Sequence, residues 1–179
     1  MLTIFGRKKL SDERLATIFV NSMIDIVEKG FDDVAGFIND SPEFETCPEI
    51  SDKDFGKFLM VVICGNFNNI PDHFENGHER EIIRLSIDKF AEVLGLSSLD
   101  FASKVKDYKE YMAHVNKPSK NNLYSMSKAI FFKYELYQFQ NEYYRSVKAP
   151  NPIFLKNLDD IMRNFLWDWS AFSERFKVV

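Results

Sequence analysis

The sequence predicts an all-α fold: a single-domain irregular bundle of about six helices with a central aromatic-rich helix. Three observations carry that prediction. Apolar residues recur at 3.6-residue spacing over long segments. Those segments start at Ser or Asn caps and stop at Gly or before Pro. No two alternating segments flank a hairpin turn.

Residues 1–10, MLTIFGRKKL, read as a loose tail, and residues 11–179 as the helical domain. The charges of that tail follow its short apolar patch, the reverse of a signal peptide. Ser11 is the N-cap of a first helix running to about Lys29, with Leu15, Ile18, Phe19, Ser22 and Ile26 on one face. Gly30 ends or breaks it, and Phe31–Asn39 continues as a short second piece. Residues 40–50 hold Pro42 and Pro48 and read as a loop. Ser51 and Asp54 resemble a capping box that opens a helix to about Asn68. Its run LMVVIC has strand-like composition, but no alternating partner strand exists, so it reads as a buried helix.

His78–Leu94 follows, stopped by Gly95 at C′. Ser97 or Ser98 caps the next helix, to about Val115. The aromatic helix spans about residues 119–147. Its segment Leu123–Arg145 carries eight aromatic rings and five of the seven tyrosines. Asn151 and Pro152 start the last helix, predicted to run to about Phe176. Its apolar stripe includes Phe154, Leu158, Met162, Phe165, Trp169 and Phe172, within an arc of about 140°.

Composition narrows the class. The chain has 179 residues, of which 18 are Phe, and is 45% hydrophobic and 28% charged. These are the values of a globular chain with a core of large flat side chains. A composition rich in Phe, Ile, Asn and Lys points to a bacterial AT-rich genome. Cys47 and Cys64 form no disulfide framework, which fits a reducing, cytoplasmic setting. The longest apolar run, Phe58–Cys64, is far short of the roughly 20 residues of a membrane span, so no membrane partner is expected.

Charge is uneven along the chain. Residues 11–102 hold 7 basic and 19 acidic residues, net −12, and residues 103–148 hold 9 and 4, net +5. Either acidic and basic helices neighbour each other, or there is a patch for an acidic partner. An acidic immunity-like protein is a special case of a protein-interaction module, motivated by the net −12 of residues 11–102.

Sites were weighed by chemistry. Glu75-x-x-His78 has the spacing of di-iron bundles, and Glu110 with His114 is one residue too wide. Helical wheels put His78 and His114 on polar faces, and His73 adds no second motif. No metal or other cofactor is expected. No nucleophile elbow and no Gly-rich phosphate loop is present, so the chain reads as non-enzymatic. A metal-dependent enzyme built on the histidines is the remaining catalytic alternative. Lysines among aromatic rings resemble single-strand binders, but the net charge of −4 and the scarcity of Arg argue against nucleic acid.

On a continuous aromatic helix, Lys133 and Gln140 stand seven apart between two apolar stripes. With Tyr134 and Tyr137 they would line a ligand cleft for a small anionic or aromatic molecule; otherwise Lys133 snorkels to water. Trp167 falls on the polar side of the last helix, as an exposed interface residue or one covered by the tail or a loop. The leading expectation is a protein-interaction module binding another protein or a second copy. A small-ligand module with the tyrosine-lined cleft is the alternative.

Overall fold

The computed structural model describes residues 7–179, and they form an all-α fold. Eight α-helices are present among the described residues: α1 (Asp12–Asn39), α2 (Phe55–Asn69), α3 (His78–Leu94), α4 (Ser98–Asn116), α5 (Asn122–Lys133), α6 (Glu142–Val147), α7 (Pro152–Met162) and α8 (Trp169–Arg175). Short strands β1 (Lys8–Leu10) and β2 (Phe176–Val178) pair in parallel. The expected loose tail is therefore docked over residues 8–10, where Leu10 is buried. Its first six residues lie outside the described region. No helix among the described residues is long and apolar enough to cross a membrane.

α2 is a central element, packed against α5, the first part of the predicted aromatic helix. Its residues from Phe58 to Phe67 are all buried, so it is apolar around its whole circumference. Strand-like composition yields a helix here because neighbours surround it on every side. The Ser51–Asp54 capping box forms and starts it through one 3-10 turn, Asp52–Asp54. α1, α4 and α5 pack against it.

α1 runs unbroken through Gly30, correcting the expected break. A Cβ at that position would sit 2.7 Å from Phe165 Cζ. Gly30 is a close approach between packed elements, and the surrounding turns keep it helical. Ser11 caps α1 by accepting from the Arg14 amide. Asn39 then closes the following loop with two bonds to the Ile50 backbone, at 2.8 and 2.9 Å.

Both long C-terminal predictions break. The aromatic helix stops at Tyr134, and Glu135 adopts a left-handed φ of 52°. A 3-10 turn (Leu136–Phe139) and α6 follow. The last helix stops after Met162, makes a 3-10 turn (Arg163–Phe165), and restarts at Trp169 with Asp168 as its cap. In each case specific tertiary bonds replace helix continuation. The Trp167 amide donates to Asn66 Oδ1 at 2.7 Å, and the Tyr134 hydroxyl to the Asp54 carbonyl at 2.7 Å.

The core is aromatic, as the composition predicts. Phe19 meets Phe67, Phe90, Trp167 and Trp169 with ring centroids 5.2–6.2 Å apart. Charge is arranged differently from the expected neutralising pairs. Acidic α1 packs on α3, which is also net acidic, and α4, whose three lysines balance three acids, packs on basic α5.

Candidate functional site

Three helix ends converge on a polar cleft of about 490 Å³. The C-terminal end of α2 and the turn after it supply Asn68, Asn69 and Asp72. α4 supplies Lys109, Ala113 and Asn116, spaced i, i+4 and i+7 on one face. The start of α5 and the segment before it supply Ser119, Lys120, Asn122 and Ser125.

An amide network builds one wall. Asn122 Nδ2 donates to the Gly65 carbonyl at 2.8 Å and to Asn69 Oδ1 at 2.9 Å, and Asn122 Oδ1 accepts from Asn68 Nδ2 at 3.2 Å. These bonds orient all three amides. Asn69 keeps its amide donors, and Asn68 its oxygen, outside the network.

Asn116 is only 4% exposed. Its Nδ2 donates to the Asn121 carbonyl at 3.0 Å, which fixes which way the amide faces. Its Oδ1 is closed off from solvent and has no hydrogen-bond partner. A buried acceptor left in that state costs about 1–3 kcal/mol. Lys109 is half-buried, and neither it nor Lys120 has an ion-pair partner among the described residues. The cleft therefore presents two lysine cations outside any ion pair, one carboxylate and a row of amides. Its lining has no histidine, no thiol and no aromatic ring.

The residues singled out from sequence are distributed elsewhere. The break at Glu135 separates Lys133 from Gln140, so they do not stack on one helix. Gln140 is fully buried and structural: its Nε2 donates to the Ala149 carbonyl at 2.7 Å, and its Oε1 accepts from the Asn151 amide at 2.6 Å. Lys133 neither snorkels freely nor pairs with an acid; its Nζ lies 4.5 Å and 4.2 Å from the Tyr108 and Tyr111 ring centroids. Burial pushes both phenols above their usual pKa. Lys133 and Tyr134 do line a shared cleft, about 230 Å³, with Lys53, Lys57, Glu49 and Glu135. Tyr137 and Gln140 are not among the residues lining it. Its three lysines are matched by Glu49, Asp54 and Glu135, so it carries no net charge for a ligand to answer.

The histidines do not gather into a metal site. His78 Nδ1 binds Asp12 at 2.8 Å, correcting the solvated reading. His114 is exposed, and His73 is exposed with its ring 6.4 Å from that of Trp169. No three His, Cys, Asp or Glu side chains converge as a metal site requires, among the described residues. Cys64 is buried, with its thiol pushed up to about 12 by desolvation, which leaves it unreactive.

Trp167 is half-buried rather than exposed. Its indole packs on Phe19, Trp169 and Phe172, and its Nε1 is closed off without a partner. The exposed apolar surface lies instead at the α3–α4 corner, where Leu99 is 81% exposed beside Val93, Leu94 and Leu96.

No family model matches this chain, and neither the curated proteins nor the solved structures contain a match to it.

The asparagine cleft had one legible signal: Lys109, Ala113 and Asn116 on one face of a predicted helix. The amide-rich runs Asn66–Asn69 and Asn121–Asn122 were the other half, and they read as helix ends and caps.

Proposed function

We propose that this chain is a non-enzymatic binding module that takes a small, polar, anionic molecule in the asparagine cleft. The observation that carries the reading is the half-buried, unpaired Lys109 beside the orphaned oxygen of Asn116. A partly desolvated cation and a buried unmet acceptor both lower stability. A ligand that pairs with both would offset those costs. The net +2 of α5, beside two lysines against one carboxylate in the cleft, favours an anion.

Thermal unfolding in inorganic phosphate against ionic-strength-matched chloride tests it. Phosphate stabilises the wild type by mass action, and Lys109→Gln with Lys120→Gln removes the gain. Equal responses in the two proteins overturn the reading.

Protein interaction is the second reading, and the α3–α4 corner favours it. Four aliphatic side chains are exposed there within seven residues. Glu92 and Asp100 flank them, which suits a partner segment with basic residues around an apolar centre.

A further inference from the structure

We propose that the ligand of the asparagine cleft is a phosphorylated sugar, an inference that rests on reading the cleft as an anion site. Lys109 and Lys120 against Asp72 leave one positive charge in excess. Two lysine ammoniums are compact point charges, suited to a small oxyanion. The rest of the ligand is identified by what the walls lack and offer. With no aromatic ring in the lining, a nucleobase has no surface to stack on. Ala113 is the single apolar side chain in the lining, so an acyl or aryl tail finds only scattered methylene surface and no apolar wall.

The walls offer amides in fixed orientations. Asn122 spends its whole amide on Gly65, Asn69 and Asn68. This leaves an amide donor on Asn69 and an acceptor oxygen on Asn68, the mixed pattern that neighbouring hydroxyls satisfy, since each hydroxyl both donates and accepts. Asn116 Oδ1 requires a donor. A phosphate dianion has none to give, and a sugar hydroxyl does. That oxygen is closed off from solvent, so the cleft side chains must move as the hydroxyl docks. A volume of about 490 Å³ is within the range of small-ligand sites.

Calorimetric titration of the full chain discriminates the sources of this chemistry. The probes are glucose 6-phosphate, fructose 6-phosphate, glucose, inorganic phosphate and glutamate. One of the two sugar phosphates binds at least ~10-fold more tightly than inorganic phosphate, glucose or glutamate. Asn116→Leu reduces that affinity to the inorganic phosphate level. Lys109→Gln abolishes the binding of both. Unchanged circular dichroism and thermal midpoints no lower than that of the wild type establish that the variants fold. If inorganic phosphate binds as tightly as either sugar phosphate, the sugar assignment falls while the anion site stands. If glutamate binds tightest, the sugar assignment likewise falls. If no probe binds, both readings fall.

Discussion

Replacing Asn116 with Leu and, separately, Asn66 with Leu has opposite expected effects, although both asparagines are buried. Asn66 is fully bonded: Nδ2 donates to the Val62 and Phe165 carbonyls at 2.9 and 2.8 Å, and Oδ1 accepts from the Trp167 amide at 2.7 Å. Leucine there orphans the Phe165 carbonyl and the Trp167 amide. At about 1–3 kcal/mol for each buried orphan, Asn66→Leu costs about 2–6 kcal/mol. Asn116 makes one side-chain bond, to the Asn121 carbonyl, and that carbonyl also accepts from the Ser125 amide at 3.1 Å. Leucine forfeits about 1 kcal/mol of hydrogen bonding and removes an orphaned acceptor worth about 1–3 kcal/mol, so stability stays level or rises by up to about 2 kcal/mol. Urea unfolding with a common m-value reads both changes. Equal destabilisation by the two substitutions would refute the argument, because Asn116 would then be an ordinary structural amide.

Three further outcomes follow from the same geometry. Gly36→Ala raises stability by about 0.5–1 kcal/mol, because nothing lies within 4 Å of its added methyl. Gly30→Ala drives the same methyl against Phe165, whose ring is held against Phe58, and an overpacking cost of about 1–3 kcal/mol cancels or reverses the gain; equal rises in thermal midpoint would contradict this. Asp159 is a carboxyl that burial holds above its usual pKa; the Ser127 hydroxyl opposes that shift without reaching hydrogen-bond geometry. A raised folded pKa contributes stability below the unfolded value of about 3.9 that is lost as pH rises through the folded value. Asp159→Asn therefore stabilises at neutral pH, and its advantage in urea titrations closes as pH falls toward 4; an advantage that grows on acidification would be the wrong sign. Leu99→Asp changes urea stability by less than about 0.5 kcal/mol, since the side chain is exposed in the first turn of α4; a larger loss would mean that Leu99 is covered in solution.

Helix starts were legible because their signals are local. Ser11, Ser97 and Asn151 cap α1, α4 and α7 with their own side chains, and Gly95 ends α3 in the left-handed region. The breaks at Glu135 and Trp167 were not, because neither position carries Gly or Pro. What ends each helix is a bond to a distant residue, Asp54 in one case and Asn66 in the other. Gly30 misled for the converse reason: its local cost in a helix is outweighed by the space it leaves for Phe165. Wheel arguments survived where helices are continuous and failed where they are not. Phe154, Leu158 and Met162 are buried as read, while Lys133 and Gln140 parted with the helix that was to align them. The cleft escaped notice because its asparagines are helix-end residues from three elements, and only the packing of α2, α4 and α5 brings them together.

The most direct test of the central claim is a two-dimensional NMR titration of the full chain with whichever of glucose 6-phosphate and fructose 6-phosphate binds more tightly, following backbone and side-chain amides. The account predicts saturable shifts confined to Asn68, Asn69, Asn116, Asn122 and the backbone around Lys109 and Lys120, with the amides of Tyr134 and Trp167 unmoved. Shifts centred on Lys53, Lys57 and Lys133, or none that saturate, would contradict it.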